Sequence, residues 1–104
     1  MKRVAFKMKL LAGMEVEYQR RHDEIWPELK ELLRIVEIRE YSIFFDHETN
    51  TLFGFLKVVD PKVLDTLTHY DVMQRWWHYM ADIMEANEDQ SPVTIPLKEV
   101  FYLP

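Results

Sequence analysis

Apolar and polar residues alternate at the start of the chain, with Val4, Phe6, Met8 and Leu10 interleaved among Arg3, Ala5, Lys7 and Lys9. A repeat of two puts one side of a strand into a core. Ala12-Gly13 interrupts it, and the spacing then lengthens. Met14, Tyr18, Ile25, Leu29 and Leu32/Leu33 fall on one side of a helix, which predicts a helical stretch from about Met14 to Val36. Pro27 lacks an N–H and pushes Trp26 out of the helical region, so a break is predicted near Ile25-Trp26, with Pro27 opening the second segment. Glu28 and Lys30, and Glu31 and Arg34, read as a solvated face. Ile38 to Asp46 and Thr51 to Val59 read as two strands of a hairpin joined by the polar turn Asp46-His47-Glu48-Thr49-Asn50. Tyr41, Ile43 and Phe45 fall on one face of the first strand, and Ser42 and Phe44 on the other. In the second, Phe53 and Phe55 oppose Leu52, Leu56 and Val58, with Gly54 leaving room for a close approach. Asp60-Pro61 reads as the cap and first turn of a short helix through Val63, Leu64 and Leu67. Asp71 offers a second cap, for a helix carrying Val72, Met73, Trp76, Trp77, Met80, Ile83 and Met84 to about Glu85. After the polar loop from Asn87 to Pro92, a last strand is predicted over Ile95 to Leu103, its apolar end paired or docked.

Strand, helix, strand, strand, helix, strand is the order of a ferredoxin-like split βαβ, an α+β fold with helices on one face of an antiparallel sheet. Phe44, Leu52, Leu56 and Val58 imply that neither face of the sheet is polar, and pairing two such sheets in a homodimer would cover the bare one. At 104 residues the chain makes one domain, 1–104, with a core but no room for a second. The absence of cysteine removes disulfide and thiol chemistry and suits a reducing compartment, so a cytoplasmic location is expected. Charges interrupt the only apolar run at the N-terminus, and no run approaches membrane-spanning length, so neither a signal peptide nor a membrane partner is expected. A net charge of -5 disfavours a nucleic-acid partner.

His22 follows Tyr18 by four residues and precedes Ile25 by three, so imidazole and phenol project together from the buried side of the first helix. Two readings fit: a core histidine bonded to backbone or water, or a proton-transfer group in a pocket. Trp76-Trp77 is similarly open. Adjacent helical residues point about 100° apart, so one indole can enter the core while the other faces a cleft, where its flat apolar face and single N–H donor suit a sugar. Tyr41 is either an ordinary strand tyrosine or a hydroxyl in need of a partner. His22, His47, His69 and His78 show no ligand spacing, so no metal is expected; no phosphate loop, nucleophile elbow or basic aromatic patch is present.

The motifs Tyr18-Gln19-Arg20-Arg21-His22, Ile25-Trp26-Pro27-Glu28-Leu29, Gln74-Arg75-Trp76-Trp77, Ser91-Pro92-Val93 and Glu99-Val100-Phe101-Tyr102-Leu103-Pro104, in this order, resemble the L-rhamnose mutarotase family nearly end to end. The resemblance implies a dimeric α/β barrel of ferredoxin-like subunits and interconversion of the α and β pyranose anomers of L-rhamnose without cofactor or metal. It implies His22 as proton donor and Tyr18, Tyr41, Trp76 and Trp77 as sugar-binding residues. Two other functions compete with it. Ferredoxin-like dimers also serve as cofactor-independent oxygenases or haem proteins, an analogy of fold alone. A non-enzymatic sugar sensor would use His22 only as a hydrogen-bonding contact.

Overall fold

In the computed structural model, which describes residues 1–104, the predicted order of elements holds. Strand β1 spans Lys2–Lys9, helix α1 Glu15–Asp23, helix α2 Pro27–Ile35, β2 Ile38–Asp46, β3 Thr51–Val58, helix α3 Asp71–Met80 and β4 Ile95–Leu97. The sheet runs β2-β3-β1-β4, antiparallel throughout, which is the ferredoxin-like arrangement. No helix is long and apolar enough to cross a membrane.

The proline rule accounts for the break between α1 and α2. Trp26 is extended at φ -63° and ψ 134°, and Pro27 takes the first turn of α2, where its missing N–H costs nothing. The joint therefore delivers the Trp26 indole sideways onto α3, stacked 5.6 Å from Tyr79 and edge-on to Trp76 at 5.1 Å. The main core lies between helices and sheet, with Met8, Leu10 and Leu52 below and Tyr18, Leu29, Leu32, Met73, Trp76 and Met80 above. Full burial of a side chain such as Leu29 or Leu52 contributes about 1.5–3 kcal/mol. Gly54 has the predicted role: a Cβ there would stand 2.4 Å from the Phe6 ring, which lies across the glycine from its paired position on β1.

Several expectations need correction. Pro61–His69 winds as a 3₁₀ helix, capped as predicted by Asp60, whose carboxylate accepts from the Lys62 N–H at 3.0 Å. Asp71 caps nothing; Tyr70 holds the cap position and Asp71 pairs with Arg75 at 2.8 Å, one turn on. Glu28, on the solvated face as expected, also reaches the same Arg75, at 3.1 Å. Helix α3 stops at Met80, five residues short of Glu85, because the chain turns there to bring Met84 beside Leu10 in a β-bridge. The last strand is only three residues long. Beyond it the chain is irregular, with Phe101 78 % exposed and Arg3 its anchor, paired with Glu99 at 3.0 Å and seated 3.4 Å over the Tyr102 ring.

The faces of the sheet also differ from expectation. Leu52, Leu56 and Val58 lie on the helix side, in the core. The bare side is built by Phe44, Phe53 and Phe55 with Ala5, Ile95 and Leu97, which share cross-strand rows in the register. Phe44 is 68 % exposed.

Candidate active site

Between the helices and the sheet is a cavity of about 900 Å³, lined mostly by apolar side chains, into which His22, Tyr18, Tyr41, Trp76 and Trp77 all face. Four come from helices whose 3.6-residue repeat aims them inward. Tyr41 arrives differently. Ile38 is buried on the helix side, and strict alternation would turn Tyr41 away from it. A β-bulge between Arg39 and Ser42 inserts the extra residue, with Glu40 at φ 49° and its carboxylate held 2.9 Å from Lys57 on β3. Ile38, Tyr41, Ile43 and Phe45 thereby all reach the cavity.

His22 stacks on Tyr18 with ring centroids 4.3 Å apart and meets the Trp76 indole edge-on at 5.3 Å. Its Nδ1 lies 3.1 Å from the Tyr18 carbonyl oxygen. A carbonyl only accepts, so Nδ1 carries the proton and donates it. In the neutral ring Nε2 is then a free base, with no protein partner and access to the cavity. Burial lowers the His22 pKa from 6.5 and outweighs the bond to Tyr18 and the nearby Asp23 carboxylate, both of which raise it. The phenols stay neutral. Burial pushes Tyr18 far up, and the charge of a nearby Tyr41 phenolate would push it further. Tyr41 lines the cavity, and burial of its hydroxyl raises it to about 12. The Tyr18 hydroxyl has no protein partner and is not sealed away, so it is free for a ligand. The Trp76 N–H is in the same state. Nowhere do three His, Asp or Glu side chains converge as metal ligands would.

The family model for L-rhamnose mutarotase matches residues 3–103 of the chain. The chain belongs to the L-rhamnose mutarotase family. Relatives of that name from Formosa agariphila and Bacteroides thetaiotaomicron are each 53 % identical over 103 residues, covering 99 % of both chains. One from Listeria monocytogenes is 48 % identical over the same share. The crystal structure of the Formosa agariphila L-rhamnose mutarotase superposes with a TM-score of 0.93 at 52 % identity and covers all of both chains. Membership in the L-rhamnose mutarotase family removes the support for the oxygenase and haem readings, which rested on fold alone.

Sequence reasoning missed other residues of this rhamnose mutarotase fold. Trp26 and Tyr79 buttress Trp76, and Phe6 meets Tyr41 edge-on at 6.1 Å, backing it from β1. Arg21 is another: it is 9 % exposed and bonded on several sides. Its neighbour in sequence, Arg20, carries the same charge on the surface, and no period separates the two.

The lowered His22 pKa sets a direction for stability. Below 6.5 the unfolded chain binds a proton at this position before the folded one does, so stability is full above 6.5 and falls as pH drops towards the folded value. In wild type, urea midpoints are expected to decline through that window more steeply than in His22→Gln. Parallel curves for the two proteins would show that burial does not disfavour the charged ring.

Proposed function

We propose that the chain interconverts the α and β pyranose anomers of L-rhamnose, with His22 moving the proton. The observation that carries this reading is the placement of the His22 ring: Nδ1 lies against the Tyr18 carbonyl, and Nε2 is free in an aromatic-walled cavity. Ring opening transfers a proton from the anomeric hydroxyl oxygen to the ring oxygen, and both oxygens are bonded to the same carbon. Neutral Nε2 takes the anomeric proton as the bond from C1 to the ring oxygen breaks. That bond's electron pair leaves with the ring oxygen, and the imidazolium returns the proton there. Rotation about C1–C2 turns the aldehyde over, and the same steps in reverse close the other anomer. One base that becomes an acid is sufficient. The Tyr18 and Tyr41 hydroxyls orient the sugar's hydroxyls, and the Trp76 and Trp77 indoles pack its C–H and methyl groups. The test is saturation-transfer NMR between anomers of L-rhamnose with purified protein; exchange no faster than in buffer would sink the proposal.

A homodimer formed through the bare sheet face is part of the same proposal. Phe44, Phe53, Phe55, Ile95 and Leu97 present an apolar surface that a second copy would cover. Val100, Phe101 and Leu103, in the irregular segment after β4, are also exposed and would gain cover from a second copy. Phe44→Asp, on the sheet surface and away from the cavity, is expected to convert a dimer to a folded monomer in sedimentation equilibrium. An unchanged dimer mass would place the interface elsewhere. The cytoplasm suits a chain that holds no cysteine and needs no oxidising compartment.

A further inference from the structure

We propose that Arg21 is a positioning residue: by locking α1 to the C-terminal end of α3 it fixes the roll of α1 and so aims His22 into the cavity. The inference rests on His22 as the proton carrier. The backbones of α1 and α3 meet at few points, so side chains must set their relation. Arg21 spans the gap. Its Nε donates to Glu17 at 2.6 Å, one turn back on its own helix. Its Nη1 donates to the Tyr79 carbonyl at 2.7 Å and to Asp82 at 2.8 Å, and its guanidinium lies 4.5 Å over the Tyr79 ring.

Each bond has a consequence for geometry. The Tyr79 carbonyl is one of the last of α3, with no partner inside the helix, and a cation there also suits the helix dipole. Tyr79 is stacked on Trp26 and packed against Trp76, the ring that meets His22. Arg21 and His22 are adjacent on one turn and point about 100° apart. With the guanidinium fixed at the end of α3, His22 can point only towards Trp76 and the cavity. A freed guanidinium would let this nine-residue helix roll, and the imidazole would leave Trp76, carrying with it its acceptor, the Tyr18 carbonyl of the same helix. A planar fork bonds a carboxylate and a carbonyl together in a way an ammonium cannot.

The experiment compares Arg21→Ala and Arg21→Lys with Arg20→Ala, which shares Glu17 and approaches the Tyr79 side chain but bonds neither Asp82 nor the Tyr79 carbonyl. Two readouts are taken: kcat and KM for anomer exchange, and the ¹H and ¹⁵N shifts of the His22 ring without sugar. Arg21→Ala is expected to lose kcat by roughly 10- to 100-fold, as a displacement near 1 Å does, with KM little changed. Its His22 ring resonances shift as the imidazole moves away from the Trp76 indole, whose ring current it no longer feels. Arg21→Lys recovers part of both, and Arg20→Ala matches wild type in both. Wild-type kcat in folded Arg21→Ala overturns the proposal, as do unaltered His22 ring shifts or an equal loss in Arg20→Ala. If Arg21→Ala does not fold, Asp82→Asn takes its place, with a smaller loss of kcat and the same change in the ring expected; wild-type values for both overturn the proposal. Full exchange in His22→Ala would instead defeat the proton-carrier reading, whereas the ring spectrum judges the link between Arg21 and His22 by itself.

Discussion

Replacing His22 with alanine is expected to reduce anomer exchange to the rate in buffer, a loss of roughly 10²–10⁴-fold, the range general acid–base assistance supplies. The fold should survive. His22 is half-buried at the cavity wall, with one hydrogen bond to its own helix and none to another element. The removed ring leaves space continuous with a cavity that already exists, so the packing cost is small. Circular dichroism and sedimentation should match wild type while saturation transfer between anomers disappears. Exchange persisting at the wild-type rate in a folded His22→Ala would remove the imidazole from the mechanism. The same assignment fixes the pH dependence: kcat/KM should fall on the acid side with an apparent pKa below 6.5, because the neutral ring starts the reaction and burial lowers its pKa.

Trp76→Ala and Trp77→Ala are expected to fail in different ways despite their adjacency. Trp76 is 5 % exposed and packs against His22, Trp26 and Tyr79. Truncating it removes an aromatic from the core at about 3–5 kcal/mol, a large part of the ~5–15 kcal/mol that holds a domain together. Melting should drop by on the order of 15 °C, and activity should go with it. Trp77 is only half-buried and lines the cavity. Its truncation should leave most of the stability but raise KM about tenfold, equivalent to ~1.4 kcal/mol of lost contact. Thermal melts beside saturation kinetics separate the two. Greater destabilisation by Trp77→Ala, or an unchanged KM, would reverse the roles given to the indoles.

The contrast between these tryptophans bears on how much of the site is readable in advance. Their 100° divergence on a helix states that one goes inward and one outward, but not which. That depends on what occupies the space above α3, and the occupant is Trp26, delivered by the break at Pro27. The strand assignments have the same limit. Alternation located β1, β2 and β3 closely, yet it could not say which side of β3 meets the helices, since Leu52 and Phe53 are equally apolar. The hairpin and helix order were legible because each depends on a few neighbouring residues. The length of α3 was not, since Ile83 and Met84 continue its apolar pattern and leave the helix only because Leu10 offers a bridge.

Taken alone, the amino-acid sequence determined the succession of elements, the helix break at Pro27 and the tight approach at Gly54. These follow from steric rules acting over a few residues, which every copy of the chain obeys before it folds. The tertiary structure decided the bulge at Glu40 that turns Tyr41 into the cavity, the buried face of the sheet and the bridge from Arg21 to Asp82, 61 residues away. Each depends on a partner far along the chain, and neither a period nor a propensity encodes which distant group will be there to receive a side chain.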